Sequence, residues 1–223
     1  MSHWNEPGPA RLLLALARTG PVARGAGASR LGRELLSQLA AEWQIDCPLA
    51  GWSPRGHGPV HHDNLPNGIW PGLSHRRDHV IAALSNQPIG LDIECSLGRH
   101  VRRLDRLVEA FPTLQTRTAI RQDTQPLQAF YRAWTLHEAL FKLAWCEGKR
   151  PAHVLSSDIA TMLDELAPNG TIHVWQYQDE QLTIHLCIRS PELETRDELE
   201  ISTPLPGTSV ALRPVQGLSA HFR

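Results

Sequence analysis

The chain has 223 residues, 41% of them hydrophobic and 20% charged, which is an ordinary soluble globular composition and long enough to bury a substantial core. A net charge of −1 excludes an electrostatic case for nonspecific nucleic-acid binding, so any cationic site must be a local cluster. The cysteines Cys47, Cys95, Cys146 and Cys187 form no C-x-x-C pair and read as reduced residues of a cytoplasmic protein, not as a disulfide framework or zinc site.

In chain order, the apolar run at 12–17 is too short to cross a membrane. Arg11 precedes it and small residues follow, as in a signal peptide, but no basic cluster lies ahead of it, and a first strand at 11–17 is the better reading. A Gly/Ala-rich connection leads to a helix at 29–43 with Ser29 as N-cap and Leu31, Leu35, Leu36 and Leu39 as its apolar stripe. Residues 48–71 read as loop, rich in Gly, Pro and His. His57, His61 and His62 sit in that loop, and its flexible composition argues against a metal cluster. The apolar segments 79–84 and 88–94, joined by Ser85-Asn86-Gln87, have the pattern of a β-hairpin. A basic amphipathic helix is expected over 101–110, ended by Phe111-Pro112. A long helix follows over 126–145, with Pro126 in its first turn and Gly148 beyond its end. Strands are expected at 171–176, after the turn signal Asn169-Gly170, at 182–188 and at 210–213. Helix, loop and strands thus occur twice, which predicts a two-lobed α+β fold with a cleft between lobes: 1–98 and 99–223.

Two motifs carry the chemistry. In Gly90-Leu91-Asp92-Ile93-Glu94 the period of two puts both carboxylates on one strand face. In Trp134-Thr135-Leu136-His137-Glu138-Ala139-Leu140-Phe141-Lys142 the residues Trp134, Glu138 and Lys142 stand four apart on one helical stripe. If strand and helix pack together, three carboxylates and an ammonium converge. Hard oxygen ligands of that kind hold Mg2+, which binds phosphate oxygens, so phosphoryl chemistry is the leading expectation. Each motif also has a plain structural reading. Asp92 and Glu94 would then be the solvent side of an amphipathic strand, and Glu138 with Lys142 a surface pair worth a few tenths of a kcal/mol. Phe130 and Trp134 on the same stripe weigh against a surface face.

Together with Ser74-His75, these motifs resemble the 4′-phosphopantetheinyl transferase superfamily, in particular the larger monomeric type serving nonribosomal peptide and polyketide synthases. That family carries an early Ser-His pair, a Gly-x-Asp-x-Glu strand and a Trp-x-x-Lys-Glu-Ala/Ser-x-x-Lys helix, and the order and gaps match over roughly residues 28–190. The resemblance implies two pseudo-twofold lobes, each a small antiparallel sheet packed with a long helix, with the active site in the cleft between them. It further implies transfer of the 4′-phosphopantetheine arm from coenzyme A, the co-substrate, to a serine of an acyl or peptidyl carrier protein, as in a holo-[acyl-carrier-protein] synthase of secondary metabolite biosynthesis.

Carried onto this chain, Asp92, Glu94 and Glu138 hold Mg2+. Glu138 takes the serine proton, and Lys142 stabilises charge on the transferred group. Ser74 and His75 touch the phosphates of coenzyme A, and Arg24 or Arg30 grips the 3′-phosphate. Pro59 lies in the segment that cradles adenine, although the Lys of the family's Gly-Lys-Pro is missing from Gly58-Pro59. His137 replaces the usual Lys before the Glu and keeps only one hydrogen-bond donor when neutral, which predicts weaker coenzyme A binding. Arg76, Arg77 or Lys149 is an alternative source of that charge. Arg99, Arg102, Arg103 and Arg106 with Val101, Leu104, Leu107 and Val108 suit an acidic carrier domain, and suit an ordinary solvated helix equally well. No nucleic-acid or membrane partner is expected, and both lobes in one chain imply a monomer.

Two rivals stand beside this reading. One is a degenerate relative that binds coenzyme A or a carrier protein without transfer. The other is a metal-dependent phosphodiesterase, which would lack the second carboxylate cluster of a two-metal site.

Overall fold

The computed structural model describes residues 10–20, 25–56, 58–149, 153–166, 171–190, 199–201 and 210–215. Its strands are β1 (Leu12–Arg18), β2 (Trp70–Arg76), β3 (His79–Ser85), β4 (Ile89–Cys95), β5 (Thr171–Gln178), β6 (Leu182–Ser190), β7 (Leu199–Ile201) and β8 (Val210–Pro214). Its α-helices are α1 (Ala26–Glu42), α2 (Gly98–Val101), α3 (Leu104–Val108), α4 (Leu114–Gln122), α5 (Pro126–Cys146) and α6 (Ile159–Leu166). The class is α+β as expected, with two antiparallel sheets ordered β1-β3-β2 and β4-β6-β5-β8-β7.

One unit is built twice. A strand leads into a long helix and then into a hairpin whose second strand sits in the middle: β1, α1, β2, β3 and then β4, α5, β5, β6. The alternation of apolar residues on β1 and β3 explains the layering. Leu14, Leu16, Ile81 and Ala83 join Leu91, Ile93, Ile184 and Leu186 in a core shared by the two sheets. Ala15, Ala17, Val80, Ala82 and Leu84 point the other way and bury Leu35, Leu36 and Leu39 of α1. On the far side of the second sheet, Val174 and Cys187 pack with Leu136, Ala139, Leu140 and Leu143 of α5 and with Ile159 and Met162 of α6.

Several expectations are corrected. The segments 79–84 and 88–94 do not form a hairpin. Both edges of β3 are taken by β1 and β2, so β4 has no place beside it and pairs with β6 instead, Asp92 opposite His185. β4 is therefore a strand of the second sheet, although it precedes the division expected at residue 98. The hairpin that does exist joins β2 to β3 through Arg77, a non-glycine residue at φ 57°. No Gly or Asn marks that turn, and β2 lies where sequence reading saw loop and turn. Ser29 is not an N-cap. Helix α1 starts three residues earlier, after Gly25 at φ 60°, and Ser29 is buried in its first turns. The helix expected over 101–110 is two short ones, α2 and α3, interrupted at Arg102 and Arg103. Helices α4 and α6 were not foreseen. The turn signal Asn169-Gly170 lies outside the described residues.

His61 and His62 belong to a tied loop. His62 is buried edge-on to Trp52, its Nε2 lies 3.1 Å from the Pro48 carbonyl, and its Nδ1 accepts from Asn64 N–H at 3.0 Å. His57 is outside the described residues. All four cysteines are free. Among the described residues no helix is long and apolar enough to cross a membrane.

Candidate active site

The site forms where β2, the edge strand of the first sheet, lies against β4, the edge strand of the second, under helix α5. Gly90 sets its geometry. A Cβ there would stand 1.9 Å from the Ala139 carbonyl oxygen and 2.7 Å from Leu143 N, so only glycine lets the α5 backbone come this close to the strand. One turn of helix on either side then faces Asp92 and Glu94. Glu138 and Lys142 are on that turn because the helical period returns the Trp134 stripe to the strand every four residues.

Asp92 is the hub. It is 5% exposed, and its Oδ1 accepts from Lys142 Nζ at 2.6 Å and from Ser74 Oγ at 2.8 Å. Lys142 Nζ also donates to the Leu91 carbonyl at 3.1 Å and to Ser74 Oγ at 3.2 Å, so one ammonium ties helix, strand and the first sheet together. Glu94 is bound by Arg76 of β2, with Nε at 2.9 Å from its Oε2. Burial and the charge of Asp92 push the Glu94 carboxyl up to about 7, against the pull of Arg76 and a hydrogen bond from Trp134. Burial and Asp92 raise Glu138 too, with Lys142 and Arg76 opposing. Burial and Asp92 thus disfavour ionisation of Glu94 and Glu138, and the two cations Arg76 and Lys142 oppose that.

As arranged, no three His, Cys, Asp or Glu side chains among the described residues are gathered closely enough to hold a metal ion. The donors nevertheless suit a hard divalent cation. All are carboxylate oxygens, Glu94 and Glu138 are destabilised as anions by burial and by Asp92, and Asp92 Oδ2 is buried with no hydrogen-bond partner.

Two cavities flank this centre. One of about 270 Å³ is lined by Pro59, Val60, Leu73, Leu91, Glu138, Phe141, Lys142 and Trp145, so expected Pro59 does join Glu138 and Lys142. The other, about 370 Å³, is lined by Ser29, Arg30, Arg33 and Arg55. Arg30 reaches it while paired with Glu34 at 2.8 Å. Arg33 is fixed by hydrogen bonds to the Ser53 carbonyl at 2.6 and 2.9 Å and the Ser29 carbonyl at 2.7 Å. His75 feels the charges of both sides, its pKa lowered first by burial and then by Arg55, Lys142 and Arg33. Sequence reading missed Arg33, Arg55, Phe141 and Trp145. An i,i+3 spacing from Arg30 to Arg33 on one helical face was the available signal for the first.

His137 is a correction. It is 0% exposed and turned away from Glu138, with Nε2 at 2.7 Å from the Ser157 carbonyl and its ring against Phe111. Position 137 is one residue off the Trp134 stripe, and 100° of helical rotation carries it away from the phosphates it was expected to meet. Burial lowers its pKa, against the pull of the Ser157 carbonyl and Asp158. Lys149 donates to the Glu165 carbonyl instead of facing the site, and Arg77 is exposed in its turn. Arg24 lies outside the described residues.

Residues 88–191 match the family model of the 4′-phosphopantetheinyl transferase superfamily. No curated protein matches the chain. The matched stretch contains β4 and α5, the two elements that bring Asp92, Glu94, Glu138 and Lys142 together. Through residues 88–191 this chain is similar to the 4′-phosphopantetheinyl transferase superfamily.

Proposed function

We propose that the protein transfers the 4′-phosphopantetheine arm of coenzyme A to a serine of an acyl or peptidyl carrier protein and releases 3′,5′-adenosine diphosphate. The similarity of residues 88–191 to the 4′-phosphopantetheinyl transferase superfamily supports the transfer. The observation that carries the reading is the convergence on buried Asp92, whose Oδ1 binds Lys142 and Ser74 while Oδ2 has no partner.

In this reading Asp92, Glu94 and Glu138 hold Mg2+, which when bound supplies positive charge against the pyrophosphate oxygens. Glu138, its pKa raised first by burial and then by Asp92, lines the smaller cavity and takes the proton from the carrier serine. The serine Oγ forms its bond to the β-phosphorus as the bridging bond to the adenosine-side phosphate breaks. Lys142 steadies the charge that grows on the transferred group. Ser74 and His75 orient the pyrophosphate, and Arg33 and Arg55, with Arg30, receive the 3′-phosphate in the cationic cavity. Pro59, Phe141 and Trp145 form an apolar wall for the rest of the co-substrate. The exposed Arg99, Arg102, Arg103 and Arg106 around Val101, itself 59% exposed, face an acidic carrier domain just beyond the end of β4. The protein acts as a cytoplasmic monomer with its site at the junction of the two units.

Intact-protein mass spectrometry of an apo carrier domain incubated with the protein, coenzyme A and Mg2+ tests this. The carrier gains the mass of one phosphopantetheine arm with the native chain and none with Glu138→Gln. Absence of any gain across several carrier types, with coenzyme A still bound, would replace transfer by simple binding. Consumption of coenzyme A without a carrier would indicate a phosphodiesterase.

A further inference from the structure

The acidic centre carries its own counter-ions, and they differ in kind. Lys142 is anchored, donating to Asp92, Ser74 and the Leu91 carbonyl at once. Among the described residues Arg76 makes one carboxylate contact, Nε to Glu94 at 2.9 Å. The Arg76 side chain is 41% exposed, whereas that of Glu94 is 12% exposed. The carboxylate is therefore fixed, and the guanidinium has solvent and rotamers to move into. Arg76 also comes from β2, on the first unit, and closes the seam over an acid of the second. With all three carboxylates ionised, Asp92, Glu94 and Glu138 against Arg76 and Lys142 give the centre a formal charge of −1 (three negative, two positive).

We propose that Arg76 is a displaceable counter-ion for Glu94, which must leave that carboxylate before a divalent cation can take it and which then pairs with the co-substrate's phosphate oxygens. This rests on the reading of Asp92, Glu94 and Glu138 as the cation site. A divalent cation added while Arg76 stays would turn the centre to +1, and the anionic pyrophosphate restores the balance. Cation and coenzyme A consequently bind in a coupled fashion, each weakly without the other. Removing the guanidinium leaves the centre at −2, ready for the cation alone.

The test is calorimetric titration with Mn2+, with and without coenzyme A, on the native chain, Arg76→Gln and Arg76→Lys. Arg76→Gln is expected to bind Mn2+ alone about tenfold more tightly than the native chain and to gain little further from coenzyme A. Arg76→Lys, which keeps the charge, is expected to behave as the native chain does. Equal or weaker Mn2+ binding by Arg76→Gln overturns the proposal, as does an identical change in both variants. Absence of Mn2+ binding in all three proteins, with coenzyme A still bound, overturns the carboxylate cation site itself and this inference with it. A thermal melt without metal confirms that each variant is folded.

Discussion

The two strand–helix–hairpin units share a topology and divide the chemistry. In the first, the face of β1 toward its helix carries Ala15 and Ala17, which pack with Leu35, Leu36 and Leu39 of α1. In the second, the corresponding face of β4 carries Asp92 and Glu94 under α5. The acids therefore sit in one unit, while the first unit contributes Ser74, Arg76, Arg33 and Arg55 from across the seam. One architecture thus yields a hydrophobic interface in one copy and a charged centre in the other, where burial resists the ionisation of Glu94 and Glu138.

The sharpest way to break this asymmetry is to neutralise the acid on α5. Glu138→Gln keeps the shape of the side chain and is expected to lower transfer about 10²- to 10⁴-fold, read by carrier mass shift, with the melting temperature unchanged or raised. Next in size is the helix–strand contact. Gly90→Ala would drive a Cβ into the α5 backbone at Ala139, and denaturant unfolding should show a loss of about 3 kcal/mol. Gly32→Ala is the matching change in α1, but there the Cβ meets the side chain of Leu73, 2.2 Å away. That side chain can rotate and the helix gains about 1 kcal/mol from losing a glycine, so the net cost should be near zero.

A third prediction uses the buried histidine of the second unit. His185 faces α5, with Nδ1 at 2.7 Å from Thr135 Oγ1, and burial pushes its pKa down to about 3. In the unfolded chain it takes a proton near pH 6.5, so between about pH 6.5 and 3 the unfolded state binds more protons. Stability is fully present above that window and falls as pH drops through it, by up to about 1.4 kcal/mol per pH unit. Urea midpoints measured from pH 7 to 4 should fall less steeply in His185→Gln. The smallest effect belongs to the first unit's surface. Arg30→Ala breaks an exposed pair with Glu34 and should change stability by less than about 0.5 kcal/mol, while weakening coenzyme A binding if the cationic cavity takes the 3′-phosphate.

Local pattern alone determined the long elements and the acidic stripe. The 3.6-residue period marked α5 within one residue of its observed end, and the alternation at 90–94 put Asp92 and Glu94 on one face. Those signals lie within a few residues of one another and depend on backbone geometry that every helix and strand shares. What sequence could not decide was pairing. Nothing local says that β3 is flanked on both edges, so the apparent hairpin with β4 was an illusion of proximity along the chain. Likewise β2 carries Pro71, Gly72 and Ser74 and has no strong strand propensity, so it is a strand because β3 offers it an edge. Tertiary structure alone set Arg76 on Glu94, brought Arg33 and Arg55 toward His75, and turned His137 into the interior. Each of those placements depends on how one unit packs against the other or on which side of α5 the core lies, and that is fixed only when distant surfaces are buried together.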